Sequence, residues 1–170
     1  AQAFRLACRQ SLHRAKNEGS AVPAITLDAR EVPSEPAAWE TVQLPLAPAL
    51  LTCAITNLVD NALRYHRGPT PVSATLQWHA GPAGDGQVEI CVRDQGPGLT
   101  ADECGQALKR FWRKSGSDPG SGLGLTIVHR IAESAGGTLV LEPGTPGLVA
   151  RLRLSTCAAD AAPAHGIAPG

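Results

Sequence analysis

Hydrophobic positions recur at helical spacing over residues 4–18 (FRLACRQSLHRAKNE), where Phe4, Ala7, Cys8, Ser11 and Leu12 share one side and predict a short amphipathic helix. Residues 24–30 (AITLDAR) alternate apolar and polar as a half-buried strand does. A loop rich in Pro and Glu follows, then a short apolar segment around Val42 and Leu44. Pro45 and Pro48 introduce a long helix from about Ala47 to Tyr65, proline being tolerated in a first helical turn. Alternation returns over 72–79 and 87–93, with Val72, Ala74, Leu76 and Trp78 on one face of the first strand and Val88, Ile90 and Val92 on one face of the second. The GPAGDG run between them predicts an antiparallel hairpin. Thr100 and Glu103 have the spacing of a capping box, which opens a helix running to about Phe111. Residues 113–121 hold turn formers and charges without an apolar anchor and predict a mobile loop. A helix from about Leu123 to Ala135 stops at Gly136-Gly137, and two last strands, 138–142 and 148–154, are joined by PGTPG. The class is therefore α+β, one sheet with helices on one face.

Composition narrows the possibilities. A chain of 170 residues with 43% hydrophobic and 18% charged residues is one domain with material for a core. Lys+Arg and Asp+Glu number 15 each, so the basic surplus that nucleic-acid or anionic-membrane binders use is missing. Five widely spaced cysteines include no C-x-x-C pair and read as free thiols in a reducing compartment. No apolar run approaches the roughly 20 residues of a membrane span. There is no signal-peptide pattern, and the lack of any methionine is what a fragment of a longer protein would show. Residues 157–170 read as a disordered tail.

Three clusters carry candidate chemistry. On the long helix, with Asn57 set at 0°, Asp60 falls at about −60°, Asn61 at about 40° and Arg64 at about −20°. Leu51, Ile55, Leu58, Val59 and Ala62 gather on the opposite side. A solvated face explains such polarity, yet two asparagines one turn apart in mid-helix weaken it without evident return. Asp94-Gln95-Gly96-Pro97-Gly98 directly follows a strand, where the carboxylate can accept from an exocyclic amine and the glycines admit a ligand to the backbone; an ordinary D-x-G turn has the same sequence. Gly120-Ser121-Gly122-Leu123-Gly124-Leu125 opens a helix and offers backbone N–H groups suited to phosphate, although it has neither Rossmann spacing nor a P-loop pattern.

Taken in order, these clusters resemble the GHKL nucleotide-binding fold, and most closely the catalytic ATP-binding domain of bacterial sensor histidine kinases. NLVDNALRY (57–65) is similar to the N box, DQGPG (94–98) to the G1 box, RFWR (110–113) to the F box and GSGLGLTIV (120–128) to the G2 box, a likeness spanning about residues 24–154. The resemblance implies a two-layer α/β sandwich with a mixed, mostly antiparallel sheet, forming a catalytic domain over residues 1–156. It also implies that ATP and Mg²⁺ are bound. Asn61 would hold the ion, with Asn57 beside it, Arg64 directed at phosphate and Tyr65 packed near adenine; Asn57 and Arg64 are the residues it marks as catalytic. Asp94 would accept from the adenine amino group, with Gly96, Gly98 and Leu99 shaping that wall. Gly120, Gly122, Leu123, Gly124 and Leu125 would cradle phosphate beneath a flexible lid (113–121), with Phe111 at its base. Lys109, Arg110, Arg113 and Lys114 are the cations near the γ-phosphate.

Related ATPases such as gyrase place a water-activating glutamate where this chain has Asn57, and a carboxamide is no general base. The resemblance therefore implies a kinase that keeps ATP for a protein acceptor, a histidine on a separate dimerisation domain, before transfer to a response regulator. None of His13, His66, His79, His129 and His165 is followed by the acidic residue and proline of such an acceptor, so this chain alone is expected to be unable to autophosphorylate; because the resemblance puts dimerisation in the separate helical domain, the chain is also expected to be monomeric. A docking module without transfer activity and an anti-sigma-type serine kinase are the alternatives. One departure is LPLAPALL, which lacks the polar helix start common in the family and puts only local capping in question. The expected location is a cytoplasmic domain of a protein anchored in the bacterial inner membrane.

Overall fold

The computed structural model describes residues 2–17, 25–28, 43–80, 86–114 and 121–156. The segments expected as the Pro- and Glu-rich loop, the hairpin turn, most of the mobile loop (115–120, with Gly120) and the tail 157–170 lie outside them. In chain order the elements are α1 (Gln2–Asn17), β1 (Ile25–Asp28), α2 (Pro48–Tyr65), β2 (Val72–Ala80), β3 (Gly86–Arg93), α3 (Ala101–Ala107), α4 (Gly124–Ser134), β4 (Thr138–Pro143) and β5 (Leu148–Thr156). The strands form one sheet in the order β1-β2-β3-β5-β4. Its edge strand β1 runs parallel to β2 and the remaining pairs are antiparallel. The expected mixed, mostly antiparallel sheet is the one observed.

Alternation places every second residue on the face the helices cover. Pairing aligns those residues into rows across the strands: Leu76, Ile90, Leu152 and Leu139 in one, Ala74, Val92, Ala150 and Leu141 in the next. All eight are buried. Above them sit Ala54, Ile55, Leu58, Val59 and Ala62 of α2 and Val128, Ile131 and Ala132 of α4, in one continuous core that α1 joins through Phe4, Ala7 and Cys8. Each fully buried Leu or Ile contributes about 1.5–3 kcal/mol of transfer free energy. The apolar stripe of α2 thus fixes the helix rotation and leaves Asn57, Asn61 and Arg64 on the other side. Among the described residues, no helix is long and apolar enough to cross a membrane.

The expected capping box is present, with Glu103 N–H donating to Thr100 Oγ1 (3.2 Å) and Thr100 N–H to Glu103 Oε2 (2.8 Å). The helix it opens is shorter than expected: α3 ends at Ala107 and does not reach Phe111. Phe111 takes a left-handed backbone (φ 63°), which a helix cannot continue, and its N–H donates instead to Gly122 O (3.2 Å).

The sheet face opposite the helices carries an ionic cluster. Glu89 is buried there, accepting from Arg153 Nε (2.7 Å) and Arg151 Nη1 (2.9 Å), while Arg151 Nε also donates to Glu142 (3.1 Å). Burial pushes the Glu89 carboxyl upward, but the two guanidinium groups outweigh it and hold it below the usual glutamate range. A carboxyl lowered in the folded state stabilises the fold above its ordinary titration range, and that contribution disappears as pH falls through the lowered value. Glu89→Gln should therefore reduce unfolding free energy by about 1–3 kcal/mol at neutral pH. Urea denaturation repeated at decreasing pH should show the difference from wild type shrinking; a constant difference would contradict the ionic origin.

Candidate functional site

One face of α2, the loop after β3 and the N-terminus of α4 enclose a cavity of about 400 Å³, within the range of small-molecule sites. Asn57, Asp60, Asn61, Arg64 and Tyr65 line it from α2, Asp94, Pro97, Gly98 and Leu99 from the loop, and Gly122, Gly124 and Leu125 from the start of α4. Three clusters separated along the chain thereby share one wall.

Asp94 stands at the end of β3 and is 4% exposed. Its Oδ1 accepts from Gly96 N–H (2.7 Å) and Leu148 N–H (3.3 Å), and its own N–H donates to Leu148 O (3.1 Å). Both bonds engage Oδ1, on a residue that lines the cavity. Burial raises the Asp94 carboxyl above the ordinary aspartate range, an effect partly offset by the two amides and by neighbouring His66. The loop around it is interlocked with its neighbours at backbone distance. A Cβ on Gly147 (φ 92°) would lie 2.0 Å from Asp94 O, and one on Gly98 (φ 64°) 2.5 Å from Gly147 O. Only glycine fits this crossing of the β4–β5 turn over the loop.

At the other end, Asn57 Nδ2 donates back to Cys53 O (2.9 Å), which orients Oδ1 toward α4; a Cβ on Gly124 would stand 3.2 Å from it. Asp60 is bonded to Arg14 of α1 at 2.5 Å. Lys114 donates to Gly98 O (3.2 Å) and to Glu103 (3.0 Å), tying the start of the 113–121 loop to the loop after β3. Of the four cations considered there, Arg113 and Lys114 line the cavity; Lys109 and Arg110 do not.

Several residues sit differently from expectation. Gly96 is off the wall and acts through its N–H on Asp94, Leu123 does not line the cavity, and Gly120 lies outside the described residues. Phe111 does not line it either: its left-handed backbone leaves the ring 68% exposed, while Trp112 faces the cavity and donates from Nε1 to Gln106 (3.2 Å). Sequence reasoning put Asp60 on the polar face of the helix without giving it a part in the site. It passed over Pro97, Ala107, Trp112 and Leu148, whose apolar character does not separate a cavity wall from core.

Among the described residues no countercharge is hydrogen-bonded to ionised Asp94, so the fold bears a desolvation cost that a ligand donor would recover. Asp94→Asn keeps an oxygen for the two amides and removes the charge. Its unfolding free energy should equal or exceed that of wild type, whereas Gly147→Ala should lose about 1–3 kcal/mol through strain. Thermal melts of both variants decide this; marked destabilisation by Asp94→Asn would contradict it.

The family described as Histidine kinase-, DNA gyrase B-, and HSP90-like ATPase matches residues 47–156. The chain is 37% identical over 102 residues to the sensor-like histidine kinase SenX3 of Mycolicibacterium smegmatis, covering 56% of this chain and 25% of that protein. It is 41% identical over 90 residues to the sensor protein QseC of Escherichia coli K12, covering 52% and 18% respectively. The chain thus aligns with a quarter or less of the length of these relatives. Among solved structures, the mycobacterial sensor histidine kinase MprB superposes with a TM-score of 0.64 at 26% identity, covering 91% of this chain and 95% of that one.

Proposed function

Since this chain belongs to the histidine kinase-, DNA gyrase B- and HSP90-like ATPase family, we propose that its cavity binds ATP with Mg²⁺ and presents the γ-phosphoryl group to a histidine on a separate phosphoacceptor domain. The observation that carries this reading is the buried Asp94, positioned by two backbone amides on a cavity whose other walls are the asparagine face of α2 and the glycine-rich start of α4. Adenine fits between Asp94, which accepts from its amino group, and the apolar surfaces of Leu99, Leu125 and Leu148. The phosphates then extend toward Asn57, Asn61, Arg64 and the backbone of Gly122 and Gly124, where a helix N-terminus favours anions.

The donor set suits Mg²⁺. No cluster of three His, Cys, Asp or Glu side chains capable of holding a metal occurs among the described residues. Mg²⁺ characteristically takes one or two protein oxygens and completes its shell with substrate phosphates and water. Asn61, supported by Asn57, is the residue assigned to it. When bound, the ion neutralises phosphate charge; the chain itself aligns the nucleotide and excludes water.

The same geometry disfavours hydrolysis. Asn57 cannot take a proton from water. Asp60, the second carboxylate on the wall, is committed to Arg14. ATP is therefore retained until an acceptor arrives, which fits a sensor kinase passing phosphoryl groups onward to a response regulator, the longer protein being anchored at a membrane.

With γ-labelled ATP and Mg²⁺, the chain alone should acquire no stable label on any of its five histidines. It should label a helical histidine domain supplied from a relative, and Asn61→Ala and Asp94→Ala should slow that transfer by about 10²-fold or more. Stable labelling of the chain itself, or fast phosphate release without transfer, would overturn the reading.

A further inference from the structure

His66, which directly follows α2, is a buried imidazole with both ring nitrogens engaged by backbone. Gln95 N–H donates to Nδ1 (3.2 Å), and Nε2 lies 3.0 Å from Gly68 O. The tautomer follows from the partners: an amide can only donate, so Nδ1 is the bare nitrogen and Nε2 carries the proton that Gly68 O accepts. The ring bridges the end of the asparagine helix to the loop holding Asp94.

The peptide unit it grips joins Asp94 to Gln95. Its carbonyl oxygen is the atom against which Gly147 packs, and its N–H is the one bonded to His66. Either side of that grip is closely fitted: a Cβ on Gly96 would lie 2.4 Å from Tyr65 O, and one on Gly68 2.0 Å from Gln95 Oε1. The orientation of this peptide determines where the Asp94 side chain begins, and His66 holds its N–H from the helix side.

We propose that His66 is a positioning residue for nucleotide recognition: its bare Nδ1 fixes the Asp94–Gln95 peptide and with it the carboxylate on the cavity wall. The inference rests on the reading of the cavity as an ATP site. A hydrogen on Nδ1 would set it against Gln95 N–H, two donors face to face in a buried position, so the bond requires the tautomer with the proton on Nε2. The neighbouring Arg67 guanidinium donates to His66 O (2.7 Å) and Arg64 O (2.9 Å), and Tyr65, the preceding residue, lines the cavity.

The test is titration of a non-hydrolysable ATP analogue into the wild-type chain, His66→Asn and His66→Leu at neutral pH. Asparagine places an oxygen near the position of Nδ1, so His66→Asn should bind within about twofold of wild type, whereas His66→Leu should bind about tenfold more weakly. In the nucleotide-free protein, nitrogen NMR should show the ring proton on Nε2 and none on Nδ1, and hydrogen exchange at the Gln95 amide should speed up in His66→Leu but not in His66→Asn. Wild-type affinity in His66→Leu, equal loss in both variants, or a proton on Nδ1 in the wild-type chain overturns the proposal while leaving the ATP site standing. Absence of nucleotide binding by wild type overturns the site reading and this proposal with it.

Discussion

Asp94 is held on the cavity wall at the end of β3 with one carboxylate oxygen bonded to two backbone amides, and the surrounding chain is arranged to keep it there. Leu148 both donates to its side chain and accepts from its backbone, so the last strand pair is registered directly onto this carboxylate. Gly147 and Gly98 permit the close crossing, and Gly96 contributes its N–H. A desolvated carboxylate is unfavourable by itself. The hydrophobic rows beneath the helices offset that cost and give the site its rigidity.

That rigidity is unevenly distributed. The closed end of the cavity is built from strand ends, tight glycine contacts and a buried histidine. The other end relies on a helix face and on residues 111–114, tied down through Lys114 and through Phe111 N–H to Gly122 O. Asn57 is a carboxamide and Asp60 is held by Arg14, so under the proposed reading the cavity serves positioning more than hydrolysis.

Much of this was legible in the residues. Alternation over 72–79 and 87–93 placed the central strands within a residue of their observed ends, and the apolar stripe of the long helix dictated which side carries Asn57 and Asn61. The misses have local physical causes. A capping box announces where a helix starts but says nothing of where it stops, so the left-handed Phe111 that ends the turn after α3 was invisible. That turn also exchanges the roles of two adjacent aromatics, exposing Phe111 and turning Trp112 inward. Leu148 and His66 reach Asp94 only through tertiary contacts, 54 and 28 positions away, and no spacing rule connects them. Asp60 stood on the polar face by its angle, but its partner Arg14 lies on another helix.

The central claim is that this cavity recognises adenine nucleotides through Asp94 and takes up the phosphates with Mg²⁺ at the asparagine face. Titration calorimetry of the intact chain with a non-hydrolysable ATP analogue, with and without Mg²⁺, and beside the matching guanine nucleotide, tests it most directly. The account predicts one-to-one binding that Mg²⁺ strengthens and that the guanine nucleotide does not reproduce. Equal affinity for the two bases, or no binding of either, would contradict it.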